Sequence, residues 1–257
     1  MNKLIDLHTH TDNSEDSLAS MESMCLEAIN KNISIISFTD HIDYNPADTG
    51  YLFFNEQKYA DEIDKMQNKY SEQLTILKGA EFDSPHLYKD EFQKINSGDY
   101  DILLGSVHLI EDKFVGDSAI LERMSLETLF TKYYEQLLDL VQSGKIDVVA
   151  HFDFPKRYYR QNILKNNLAE EILKTMITKE IALEINTSPL RRGYHESSPD
   201  IEILKKYAAL GGQRITIGSD AHTPQDIGAD FNYAFKLIQL FDDLKQGYFK
   251  NREFISV

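Results

Sequence analysis

Tryptophan is missing from this 257-residue chain, and cysteine occurs once, at Cys25. A lone thiol allows no intrachain disulfide, which excludes the disulfide-stapled class and points to a reducing compartment. Positive charge is also short: 27 Lys and Arg against 42 Asp and Glu leave a formal charge of −15. That balance argues against an electrostatic hold on nucleic acid or on an anionic membrane. About three bound divalent cations would offset part of it, the rest reading as solvated acidic surface. No apolar run approaches the roughly 20 residues needed to span a bilayer, and no basic-then-apolar leader opens the chain. The expected setting is the cytoplasm. Six prolines and twelve glycines are spread thinly, with no repeat or low-complexity stretch. Residues 1–257 therefore read as one domain, with 42% hydrophobic residues to build its core.

What is there begins with Lys3-Leu4-Ile5-Asp6-Leu7-His8-Thr9-His10. It reads as a short strand ending in two histidines, and side-chain alternation would point Asp6, His8 and His10 the same way. Two imidazoles at one strand end can grip a metal ion. The event recurs. Further β-rich runs span Ile33–Asp40, Leu74–Glu81, Asp101–His108, Ile146–His151, Ile181–Asn186 and Arg214–Asp220. Between them lie segments of helical spacing: Leu18–Lys31, a helix capped by Ser125 and Gly144, Leu168–Lys179, a helix opened by Ser198-Pro199, and Phe231–Phe241. The connections Ile42–Gln57 and Arg157–Asn167 are longer and irregular, as active-site loops are.

Strands alternating with helices imply parallel pairing and right-handed crossovers. The runs end in His8, Asp40-His41, Glu81, His108, His151, Asn186 and Asp220-Ala221-His222. An open sheet would leave the outermost of these too far apart to share one site, whereas a closed parallel barrel gathers them in a ring. The expected fold is an α/β barrel of seven strands, a (β/α)7 relative of the TIM barrel.

A lone histidine after an apolar run is more often a satisfied core or surface residue than a ligand. Here the recurrence outweighs that reading for His8, His10, His41, His108, His151 and His222. Glu81 at a buried strand end needs a cation or a strong donor, and a carboxylate can bridge two ions. Asp16 is the least distinct candidate, beside Asp12 and Glu15. His86 reads as surface, and His195 as a loop residue near the substrate. Nine N and O ligands exceed what one ion uses, and fit two or three divalent ions. Zn, Mn and Fe all suit mixed imidazole and carboxylate ligation. Clustered ions clamp the oxygens of a phosphoryl displacement, and a bridging hydroxide is the natural nucleophile. Phosphate-ester hydrolysis is the favoured reaction, with amide hydrolysis behind it.

Asp6-Leu7-His8-Thr9-His10, Thr39-Asp40-His41, Gly79-Ala80-Glu81, Ser106-Val107-His108, Ala150-His151-Phe152-Asp153 and Gly218-Ser219-Asp220-Ala221-His222 together resemble the PHP family (polymerase and histidinol phosphatase). The resemblance implies a distorted seven-stranded barrel with a trinuclear metal centre. By position, one metal takes His8, His10, Glu81 and Asp220. A second shares Glu81 and takes His108 and His151. A third takes Asp16, His41 and His222, with Asp16 standing where many relatives have histidine.

The stretches His151–Tyr158 and Glu184–Arg191 look like those of the stand-alone histidinol-phosphate phosphatases, with Pro189 where Gly is usual. The activity so implied is hydrolysis of L-histidinol phosphate to L-histidinol and phosphate in histidine biosynthesis. Arginine suits a phosphate dianion through paired hydrogen bonds. Arg157 and Arg191 are first choices, with Arg160 and Arg192 as neighbours that are equally well read as surface residues. Asp220 is assigned the nucleophile's proton. Rival readings are a phosphodiesterase on small nucleotides, a phosphotyrosine phosphatase, and a non-catalytic PHP scaffold, which should have lost ligands that every expected position here retains.

Overall fold

The computed structural model describes residues 4–161, 163 and 166–257. Lys3 and part of the Arg157–Asn167 connection lie outside the described residues. In chain order the strands are β1 (Leu4–Thr9), β2 (Ile33–Phe38), β3 (His41–Ile42), β4 (Thr75–Asp83), β5 (Ile102–Ser106), β6 (Leu109–Ile110), β7 (Lys113–Phe114), β8 (Val148–Val149), β9 (Ala182–Asn186), β10 (Arg214–Gly218), β11 (Lys245–Lys250) and β12 (Glu253–Ser256). The helices are α1 (Met21–Asn30), α2 (Glu56–Tyr70), α3 (Lys89–Asn96), α4 (Leu126–Ser143), α5 (Lys156–Tyr159), α6 (Asn166–Thr178), α7 (Ser188–Arg191), α8 (Ile201–Ala209) and α9 (Phe231–Ile238). Among the described residues no helix is long and apolar enough to cross a membrane.

One sheet carries the order β1-β2-β4-β5-β8-β9-β10-β11-β12, with β3 also on β4. Every pair in it is parallel except β11–β12. The seven expected runs are thus the first seven places of a mostly parallel α/β sheet. No strand ladder joins β1 to β10 among the described residues. The two meet through a parallel bridge, Thr9 to Ala221, flanked by Asp220 N–H to His8 O and His10 N–H to Ala221 O, each 2.8 Å. At the opposite end β11 occupies the neighbouring place, paired with β10 at Arg214 and Ile215. Register shifts between Leu4 and Ile5 and between Asp6 and Thr9 let β1 bend toward that seam.

The sheet separates two cores. Its outer face packs on the helices through Met24, Phe38, Phe130, Leu137 and Leu173. Its inner face holds Ile5, Leu7, Leu77, Ile102, Leu104 and Phe249. Helices α1, α2, α4 and α8 begin at side-chain N-caps. Ser125 accepts from Thr128 N–H to open α4, and Gly144 at φ +68° closes it. Helix α1 starts at Met21 rather than Leu18, because Ser20 accepts from Ser23 N–H. Helix α8 is capped by Asp200, which accepts from Ile203 N–H, and not by the expected Ser198. Ser198 instead bridges to Asn186 in backbone pairing. Helix α2, absent from the sequence reading, buries Tyr59, Ile63, Met66 and Tyr70 at steps of four, three and four.

Candidate metal centre

Strand ends deliver the expected ligands to one cavity of about 880 Å³, lined by Asp16, His41, Glu81, His108, His151, Asp220 and His222. His8 and His10 lie against it, fully buried. Glu81 is the hub. Its Oε2 is 3.1 Å from His8 Nε2, 3.2 Å from His41 Nδ1 and 3.6 Å from His10 Nε2. Its Oε1 is 2.8 Å from His151 Nε2 and 3.6 Å from His108 Nε2. Asp220 Oδ1 stands 3.5 Å from His10 and 3.8 Å from His8. Asp16 Oδ2 reaches His222 Nε2 at 3.0 Å and His41 Nε2 at 3.7 Å. Four groups bring donor atoms within 4.8 Å of one another: His8, His10 and Asp220; His8, Glu81 and His151; His10, His41 and His222; His41, Asp43 and His108.

Burial alone would raise the Glu81 carboxyl, but His8, His41 and His151 outweigh it and hold the group well below the carboxylate range. Asp220 behaves alike, with Arg157 and His8 overcoming burial. His10 is driven down to about 3 by burial and by the facing His222 and His41. The buried His10 Nε2 has no hydrogen-bond partner, and His108 Nε2 lies 3.3 Å from His151 Nε2. Imidazole nitrogens turned toward one another and toward carboxylate oxygens suit divalent cations, which satisfy several lone pairs at once. The donor set fits. Backbone strain gathers at the same place, His151 at φ +29° and Asp220 at φ +55°.

A family model for the PHP domain matches residues 6–188. The chain belongs to the PHP domain family. It is 32% identical to a probable histidinol-phosphatase of Clostridium acetobutylicum, over 97% of this chain and 98% of the relative. A histidinol-phosphatase of Lactococcus lactis is 30% identical over 86% of this chain and 84% of its own length. Among solved structures, the histidinol phosphate phosphatase of Lactococcus lactis, complexed with zinc, L-histidinol and phosphate, matches at a TM-score of 0.84 and 28% identity. It covers 98% of this chain and 99% of its own.

Behind the donor groups of this PHP domain stands a layer of carboxylates that the sequence reading did not assign. Glu184, on β9, puts Oε1 at 2.7 Å from His8 Nδ1 and accepts the His151 amide on Oε2 at 2.7 Å. Asp83 accepts the His108 amide at 2.7 Å and lies 3.3 Å from His108 Nδ1. Asp40 holds Thr11 and Ser14. Such partners set the tautomer and direction of a ligand ring. A charge inside the apolar run Leu183-Glu184-Ile185 was the available signal. Gly218 leaves the room: a Cβ there would run into Glu184 Oε1 and His8 Cβ.

Asp6 departs from simple alternation. Its carboxylate accepts from Ser219 N–H, Ser219 Oγ–H and Gly228 N–H, because the shifted register of β1 turns it into the seam with β10. Arg157 donates to Asp220 Oδ2 at 2.8 Å and to Ser188 Oγ at 2.6 Å, leaving its Nε buried without a partner. Arg191 donates to Ser219 O at 2.6 Å and pairs with Asp226, with Nη1 unpartnered. Arg192 lines the cavity. Arg160 does not: it sits exposed at the αL C-cap of α5, over the Tyr194 ring. His195 is exposed and away from the cavity. His86, expected at the surface, is 8% exposed, and burial lowers it to about 4. The Ile42–Gln57 connection does line the cavity, through Asp43, Ala47, Asp48, Thr49 and Gly50. Burial raises the Asp43 carboxyl to about 7, with Asp48 adding to it against the pull of His41.

Proposed function

We propose that this chain is a metal-dependent phosphomonoesterase that hydrolyses L-histidinol phosphate to L-histidinol and phosphate in histidine biosynthesis. The observation that carries the reading is one carboxylate, Glu81, with imidazole nitrogens of five histidines within 3.6 Å of it. The frame it assumes is one cytoplasmic domain over residues 1–257, a distorted seven-stranded barrel closed at the β1–β10 seam.

Two or three divalent ions, zinc among them, would be held by His8, His10, Glu81 and Asp220, by Glu81, His108 and His151, and by Asp16, His41 and His222. Bound there, they would supply Lewis acidity toward the phosphoryl oxygens and a nucleophile at neutral pH. The chain's own residues do the rest. Arg157, Arg191 and Arg192 line the cavity and offer their guanidinium groups to the non-bridging oxygens. Asp220 is ionised at neutral pH through Arg157 and His8, and accepts the proton of the attacking water. Ser188 and Arg157 pin its Oδ2 at 3.0 and 2.8 Å. Water adds to phosphorus and the ester P–O bond breaks; the departing alkoxide takes a proton from solvent to leave as histidinol, and Asp220 returns the one it accepted.

The test is a steady-state screen of phosphomonoesters, a nucleotide phosphodiester and a phosphotyrosine peptide, with metal content measured on the same preparation. The expected result is the highest kcat/KM for histidinol phosphate, lost on chelation. A better turnover of the diester or the peptide would overturn the reading.

A further inference from the structure

Ser14 is buried in the loop between β1 and α1 and touches two strand ends. Its Oγ donates to Asp40 Oδ1 at 2.7 Å. That oxygen is an acceptor on other grounds too, since it takes the Thr11 N–H at 2.6 Å. The same Oγ accepts the His41 N–H at 3.0 Å and lies 3.3 Å from His10 Nδ1. A serine hydroxyl has one hydrogen and two lone pairs. With the hydrogen given to Asp40 and one lone pair to His41, only a lone pair remains for His10, so His10 Nδ1 carries the proton. Nε2 is then bare. It is a buried nitrogen without a hydrogen-bond partner, and it faces Asp220 Oδ1 at 3.5 Å and Glu81 Oε2 at 3.6 Å. A lone pair turned toward two carboxylate oxygens calls for a cation between them. The anchor is itself anchored. Asp40 Oδ2 takes the Thr11 hydroxyl at 2.9 Å, and Asn13 ties Thr11 to Glu62 of α2 at 3.0 and 2.8 Å.

We propose that Ser14 is a positioning residue for the metal centre: backed by Asp40, it fixes His10 as the Nδ1–H tautomer and, through the His41 amide, ties together donors assigned to two different ions. The inference rests on the metal-ligand assignment in the reading above. Ser14 acts through the two histidines. It presents His10 Nε2 as a lone pair before any ion arrives, and without it His10 would divide between tautomers, only one of which can bind through Nε2.

The test uses the full chain as wild type, Ser14→Ala and Ser14→Thr, and reads zinc binding rather than turnover. Zinc affinity is measured by competition with a chromogenic chelator. The His10 tautomer is read by long-range proton–nitrogen NMR of the histidine-labelled, metal-free protein, its signals assigned through His10→Gln. The wild type should show the His10 proton on Nδ1 and Nε2 bare. Ser14→Ala should bind zinc about 10- to 100-fold more weakly, with His10 exchanging between tautomers. Ser14→Thr, which keeps the hydroxyl, should regain most of the affinity and the single tautomer. A wild-type His10 protonated on Nε2 overturns this inference alone. So does a Ser14→Ala protein with wild-type zinc affinity, or a Ser14→Thr protein as weak as Ser14→Ala. A wild type that takes up no zinc overturns the metal-centre reading and takes this inference with it.

Discussion

The two ends of the same strands are built on opposite principles. At the carboxyl ends, Glu81, Glu184, Asp220 and six histidines are packed together, with the backbone strained at His151 and Asp220. A few residues back along those strands lie Ile5, Leu7, Leu77, Ile102, Leu104 and Val148, sealed by Phe249 of the β11–β12 hairpin. The apolar end gains free energy from every contact and needs nothing else. Charges at the polar end are tolerated only because each compensates another: against burial, Glu81 is held down by its histidines while His8 is held up by Glu184, Glu81 and Asp220. Stability and chemistry are thus divided along the strand, and each can be damaged without the other.

The largest separation should come from Glu81→Gln, which removes the hub of the polar end. We expect a fall of about 10³-fold in kcat together with loss of bound metal, read by turnover and elemental analysis. Phe249→Ala should do the reverse, lowering unfolding free energy by about 3–5 kcal/mol in urea while kcat of the folded enzyme stays at the wild-type value. If Phe249→Ala also stripped the metal, the two ends would not be independent. Glu184→Gln, at the carboxylate that holds His8, the His151 amide and the Asn186 side chain, should cost about 10- to 100-fold in metal affinity or activity.

A smaller effect tests acid sensitivity away from the centre. His86 has a folded pKa of about 4, below its unfolded value, so the unfolded chain binds the extra proton in that window. Its contribution is intact above pH 6.5 and is lost as pH falls toward 4, amounting to about 2 kcal/mol at pH 5. His86→Leu should flatten that part of the urea-stability profile. Least of all, Arg160→Ala should change kcat/KM by less than about twofold, since Arg160 stacks on Tyr194 outside the cavity.

Much of this was legible. His8-Thr9-His10 and Asp220-Ala221-His222 stood out because metal-competent donors recur at the ends of successive apolar runs. The parallel α/β class followed from alternation of apolar runs and amphipathic segments. The expected barrel closure did not appear as a ladder, because bulged β1 meets β10 only at Thr9 and Ala221 while β11 takes the other end. Helix α2 could have been read from Tyr59, Ile63, Met66 and Tyr70, whose spacing is regular although the segment is polar on average. The roles of Glu184 and Asp83 were not written locally, since each becomes a support only through a histidine contributed by another strand.

By itself the sequence determined which residues could bind metal and that strands and helices alternate, because both are properties of residue type and short-range period. Tertiary structure decided which acid is hub and which is support: Glu81 and Glu184 are alike in chemistry and differ in what long-range folding places within a few ångströms of them. It also turned Asp6 away from the donors, since a register shift in β1 re-aims a side chain that strict alternation would have sent inward.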